Sequence, residues 1–118
     1  MITFRLNTHS GVPPYLQIVQ QVMQALQVGI LQPGDKLPTV KEVVAHVAIN
    51  PNTVFKAYRE LEMRGLAEGR TGSGTFVTQR LPGPSPEAQE ALLHDLGVWV
   101  AEARHTGLDD EAIEALLR

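Results

Sequence analysis

The sequence predicts an α+β fold, mostly helical: three helices and a two-stranded hairpin, followed after a break by a two-helix tail. Three observations predict it. Apolar residues recur at helical spacing over residues 15 to 30 and 51 to 64, and two helix-start signals follow each other closely at Thr39 and Asn50. A glycine-bearing turn then joins two β-prone runs between residues 66 and 78. The 118 residues leave room for one compact domain, or a smaller one with an appended element, and 43% apolar against 19% charged residues is enough to bury a core.

Each element has its own signal. Ile2, Phe4 and Leu6 alternate with Thr3 and Arg5, which predicts a short half-buried strand. Over residues 15 to 30, Tyr15, Val19, Val22, Leu26 and Ile30 form one helical stripe, while Gln17, Gln20, Gln21, Gln24 and Gln27 cover the opposite face. Pro13-Pro14 flank this helix and Pro33-Gly34 lie beyond its end. Thr39-Val40-Lys41-Glu42 has the form of a capping box, in which the hydroxyl accepts from the amide three residues on and the glutamate reaches back. It opens a short helix with Val40, Val43, Val44 and Val47 inward. Asn50-Pro51, an N-cap followed by proline at the first helical position, starts the next one, so only a tight turn separates the two. That helix, residues 51 to 64, turns Val54, Ala57, Tyr58 and Leu61 to the core and ends at Gly65. Residues 66 to 70 and 75 to 78, joined by Thr71-Gly72-Ser73-Gly74, complete a hairpin. The order is that of a winged helix-turn-helix, in which the second helix of the pair enters the major groove of DNA.

The stretch Gln79 to Pro86, QRLPGPSP, forbids a continuing helix or central strand and marks a boundary. Residues 1 to 80 are expected to bind DNA, and residues 81 to 118 to form a linker and helical tail. Charge divides at the same place. The net charge of −3 would argue against nucleic acid if it were evenly spread, but all of the acidic excess lies in the tail and the first 80 residues are net basic, so phosphates can be met by one part while the other faces away. The absence of cysteine removes disulfides, thiolate metal sites and cysteine nucleophiles together. No window approaches the roughly eighteen apolar residues of a membrane span, and MITFRLNTHSG has no apolar signal-peptide core. A cytoplasmic protein without a membrane partner is expected.

Residues 13 to 77 resemble the DNA-binding domain of GntR-type bacterial transcription regulators. The resemblance rests on Pro33-Gly34-Asp35-Lys36-Leu37-Pro38, on Asn50-Pro51-Asn52-Thr53-Val54, on Ala57-Tyr58-Arg59-Glu60-Leu61-Glu62 with Gly65-Leu66, and on Gly72-Ser73-Gly74-Thr75-Phe76-Val77. The opening Pro14-Tyr15-Leu16-Gln17-Ile18 and the short tail are similar to the YtrA subfamily, whose C-terminal part is a pair of dimerising helices. The resemblance implies repression of transcription by a homodimer bound to an inverted-repeat operator. Two positions depart from the family pattern. Thr39 and Lys41 stand where it often has serine, any residue, then arginine, and lysine lacks the fork that grips guanine bidentately. Position 55, usually polar or small, is Phe55; it is expected to pack under the second helix, with contact to a thymine methyl as the alternative.

With Val54 and Tyr58 inward, Asn52, Lys56 and Arg59 turn to the opposite face and Thr53 to its edge. Asparagine and arginine can read base edges, while lysine and threonine suit phosphates or bases; without the resemblance these residues would read as a solvated helix face. Thr39 and Lys41 can hold phosphate at the start of the preceding helix, or simply cap it. Arg70 with Thr71, Gly72, Ser73 and Gly74 offers a cation, two hydroxyls and close backbone approach for a minor-groove or phosphate contact. Glu62 and Glu68 are expected to be solvated or structural.

In the tail, Ala88, Leu92, Leu96, Trp99 and Ala103 form one stripe, flanked by Leu93 and Val100. Gly107 ends that helix, and Asp109 caps a last one carrying Ile113, Leu116 and Leu117. Two such helices cannot form a core alone. They must dock on their own domain or on a second copy, and a homodimer through Leu92, Leu96, Trp99 and Ala103 is expected. A protein-interaction adaptor on the same fold is the alternative. An enzyme finds little support: no nucleophile or phosphate-loop motif is present, and neither a catalytic residue, a cofactor nor a metal site is expected. His9, His46, His94 and His105 are scattered, the last two about 17 Å apart on a continuous helix. A small-molecule effector is left open, since no residue pattern identifies one.

Overall fold

The computed structural model describes residues 2–118, which form two compact units, one running to Gly83 and the other spanning Pro84–Arg118. The first contains α1 (Pro14–Gln27), α2 (Val40–His46), α3 (Pro51–Met63) and a hairpin of β1 (Ala67–Arg70) and β2 (Gly74–Val77). Its core is one cluster. Ile18, Val19, Val22 and Leu26 of α1 meet Val54, Ala57, Tyr58 and Leu61 of α3, with Phe4, Leu37, Val43, Leu66, Ala67 and Val77 closing the sides.

The helix boundaries follow from local chemistry. Thr39 forms the full capping box: the Glu42 N–H donates to its hydroxyl at 3.1 Å, and the Thr39 N–H donates to the Glu42 carboxylate at 3.2 Å. Asn50 caps α3 by accepting from the Asn52 N–H at 2.8 Å, with Pro51 at N1. α1 stops sooner than its apolar stripe suggests. Gly29 takes a φ of 81° that turns the chain away, leaving Ile30 62% exposed, and Leu31 is the buried residue instead. Of the valines expected on the inner face of α2, only Val43 is buried; Val40, Val44 and Val47 are partly so.

Two features correct the sequence reading. Residues 2 to 7 are extended and alternate in burial, with Phe4 buried, but they form no strand. Their pairing groups are met by glutamine side chains of α1. Gln21 accepts from the Arg5 N–H at 2.9 Å and donates back to the Arg5 carbonyl at 2.6 Å. Gln17 accepts from the Asn7 N–H at 2.8 Å and donates to the Asn7 and Val12 carbonyls, each at 2.9 Å. Gln17 is therefore buried rather than on a solvated face. The second correction is a third edge on the hairpin. Residues 34 to 37 run along β2, with Gly34 N–H to Val77 O, Val77 N–H to Asp35 O and Leu37 N–H to Thr75 O, all at 2.8 Å. β2 thus has backbone partners on both sides, since β1 pairs with it antiparallel from Ala67↔Val77 to Arg70↔Gly74.

The second unit holds α4 (Pro86–His105) and α5 (Asp110–Leu116), which pack on each other. Ser85 caps α4 through the Ala88 N–H at 3.2 Å, Asp109 caps α5 through the Ala112 N–H at 2.8 Å, and Arg104 pairs with Asp110 at 3.0 Å. Ala103 and Ile113 are buried, whereas Leu92, Leu93, Leu96, Val98 and Trp99 stand open, from 60% at Leu92 to 40% at Trp99. No helix of the described residues is long and apolar enough to cross a membrane.

Candidate nucleic-acid interface

Helix α3 is held by its buried face and presents the other. Tyr58, on the buried side, donates its hydroxyl to the Pro38 carbonyl at 2.6 Å, pinning α3 to the turn that leads into α2. Burial, aided by the negative charge of Glu42, pushes the Tyr58 phenol well above its ordinary range, so it stays a donor. Asn52, Lys56 and Arg59 are exposed on the far side, with Thr53 at the edge. The backbone N–H of Asn52 serves the Asn50 cap, leaving its side-chain amide to meet a ligand.

The start of α2, the outer flank of α3 and the wing converge on one open cleft of about 360 Å³, lined by Thr39, Val40, Phe55, Tyr58, Arg59, Gly74 and Thr75 among others. Three of the expected contact residues, Thr39, Arg59 and Gly74, therefore share one concavity. Asn52, Thr53, Lys56, Lys41 and the turn residues Thr71, Gly72 and Ser73 do not line it; all are exposed except the half-buried Thr53. Thr39 is already engaged by its capping box, which also holds the Glu42 carboxyl below the ordinary carboxylate range, chiefly through the Thr39 N–H, then its hydroxyl, with Lys36 adding its charge. The free amides of this helix start are thus partly spent on Glu42, and the cation beside them is the exposed Lys41.

Two of the cations are braced by aromatic rings. The Lys56 ammonium lies 4.2 Å from the Tyr15 ring centre at the start of α1, and the Arg70 guanidinium 4.4 Å from that of Phe76 on β2. Lys36 is a candidate that sequence reasoning passed over. It sits on the third edge of the wing, opposite Phe76, and its side chain crosses Gly74 so closely that a Cβ there would lie 2.7 Å from Lys36 Cε. With a φ of 117°, position 74 needs glycine for its backbone as well. The available signal was Lys36 in the PGDKLP block; its pairing with β2 was invisible because those residues read as a loop. Lys36, Lys41, Lys56, Arg59 and Arg70 make no ion pair among the described residues, whereas Arg64 is tied to Glu60 at 3.3 Å and to the Met23 sulfur at 3.1 Å. Phe55 does not pack under α2. It lies about 110° round the helix from the centre of the buried face and is 51% exposed, on the flank of the cleft. Among the described residues no cluster of three or more His, Asp or Glu is placed to hold a metal ion.

The pattern of bacterial regulatory proteins of the gntR family matches residues 14–77, which is the stretch that builds this surface. The chain belongs to the gntR family. Its likeness to family members continues into the second unit. The HTH-type transcriptional repressor YtrA of Bacillus subtilis (strain 168) is 33% identical over 115 residues, 97% of this chain and 88% of the relative. The structure of YtrA from Sulfolobus acidocaldarius, a GntR-family transcription factor, is 25% identical with a TM-score of 0.59, covering 97% of this chain and 92% of that one. AraR(DBD), solved in complex with operator ORE1, matches 66% of this chain and 95% of its own at 27% identity and a TM-score of 0.55. The gntR chain described here is a transcription regulator with a winged helix-turn-helix fold.

Proposed function

We propose that this gntR regulator represses transcription by binding an inverted-repeat operator in double-stranded DNA as a homodimer in the cytoplasm, and that it is not an enzyme. One observation carries the reading: the start of α2, the flank of α3 that carries Phe55 and Arg59, and Gly74 and Thr75 of the wing border one cleft, and Lys41, Lys56, Arg59 and Arg70 stand exposed on the same elements. That AraR(DBD) was solved with an operator supports the same use of this fold. In this reading Asn52 and Arg59 read base edges, Lys56, Thr53 and Lys41 hold phosphates, and Thr39 sets the start of α2 at the edge of the DNA contact. Arg70, the Thr71-Gly72-Ser73-Gly74 turn and Lys36 meet the backbone or minor groove beside the recognition helix. The open apolar residues Leu92, Leu96 and Trp99 of α4 supply the dimer contact. Ala103, already buried within one chain, shapes the α4–α5 pair beneath it.

Selection of bound sequences from random duplex DNA, followed by affinity measurements across salt, tests this. A palindromic consensus is expected, with affinity falling steeply as salt rises because phosphate contacts release counterions. Lys56→Ala should flatten that slope while keeping the consensus. Weak retention on DNA, indifferent to both sequence and salt, would favour an adaptor that binds protein.

A further inference from the structure

We infer that Phe55 is a base reader and that its ligand is the 5-methyl group of a thymine in each half-site. The inference rests on the DNA-binding reading above and adds to it a specificity residue. Among the described residues of the first unit, Phe55 is one of four large apolar side chains left open. Val28 and Ile30 follow the end of α1 and Met63 closes α3, whereas Phe55 lies within a helix. Helical geometry puts it about 60° from Asn52 and about 40° from Arg59, so its open half looks out beside the two side chains with the best chemistry for base edges. It lines the cleft with Thr39, Val40 and Arg59, and with Gly74 and Thr75 of the wing.

The chemistry names the partner. In the major groove every base edge presents donors and acceptors, and the one apolar feature is the thymine methyl. A half-exposed ring would only strip water from a phosphate or a carbonyl without replacing its hydrogen bonds. Against a methyl group it gains apolar contact on both sides. The ring also suits this use because phenylalanine has two side-chain torsions and little freedom to lose.

The test needs no knowledge of the natural operator. A duplex recovered by selection is remade with uracil for thymine, one position at a time, which deletes a single methyl and leaves every hydrogen-bonding group in place. The full-length protein should lose about three- to fivefold in affinity at one thymine per half-site, the size of withdrawing one buried methyl group, and almost nothing elsewhere. Phe55→Ala should bind the thymine and uracil duplexes equally. Phe55→Leu, which keeps an apolar side chain, should retain part of the difference. Indifference of the wild-type protein to every uracil overturns the inference while leaving DNA binding intact, as does a Phe55→Ala variant, folded by circular dichroism, that still discriminates. A protein that yields no consensus in the selection removes the DNA-binding reading and this one together.

Discussion

Tyr58 shows how one side chain fixes the aim of the candidate surface. Its ring is part of the core, and its hydroxyl reaches the Pro38 carbonyl one residue before the α2 cap. Tyr58→Phe leaves that carbonyl without its partner, so a loss of about 1–3 kcal/mol is expected in chemical denaturation. The pH dependence gives a sharper signature. The folded phenol is pushed up, mainly by burial, while the unfolded one ionises near pH 10, at about the model-peptide value. Above that pH the unfolded chain therefore binds fewer protons than the folded one, and stability falls as pH rises. Wild-type protein should lose stability between neutral pH and about pH 11 to a greater extent than Tyr58→Phe; parallel curves would mean that the hydroxyl is not held as described.

At the scale of elements, α2 is short and contributes little burial, so its start is set by the capping box more than by packing. Thr39→Ala should cost about 1 kcal/mol and weaken DNA binding beyond that by loosening the edge of the cleft. Glu42 carries a linked pH effect. Its carboxyl is held below the ordinary range when folded, so its contribution is present above the unfolded carboxylate range, near pH 4.3, and is lost as pH falls through the folded value. Glu42→Gln should show a shallower loss of stability on acidification than wild type, as read from urea midpoints. These caps were legible in the sequence because they are local: Thr39 and Glu42, or Asn50 and Pro51, are separated by three residues or fewer. The inward stripe of α3 was legible for the same reason. What the sequence hid was non-local. The pairing of residues 34 to 37 with β2, and the replacement of a strand partner for residues 5 and 7 by Gln21 and Gln17, depend on which elements meet in space. A run of glutamines reads as a solvated face until the backbone it serves is known. Phe55 reads as a core residue from its apolar character, but it lies about 110° from the centre of the buried face of α3, and helical spacing already sets it outside the core.

For the whole molecule, the break at QRLPGPSP separates two kinds of burial. The core cluster of the first unit is drawn entirely from residues up to Leu81, so a chain ending at Gly83 has all of that core and should fold as a monomer. The second unit buries Ala103 and Ile113 and leaves a row of leucines and Trp99 open, the apolar surface that the proposed dimer would cover. The full chain should sediment as a dimer, and Trp99→Ala should shift it toward monomer. Joining two DNA-binding units makes the second contact intramolecular, so the fragment is expected to bind one half-site about 10²- to 10⁴-fold more weakly than the full chain binds both. Equal oligomeric states for fragment and full chain would place the dimer contact elsewhere. Sequence recognition itself is expected from the outward face of α3. Parallel selection with wild type and Asn52→Ala is the decisive measurement, because the side-chain amide of Asn52 has no hydrogen-bond partner among the described residues. The expected result is one consensus with a single position per half-site relaxed in the variant, and a loss of about 1–3 kcal/mol on the wild-type site. An identical consensus bound with identical affinity by folded Asn52→Ala would contradict it.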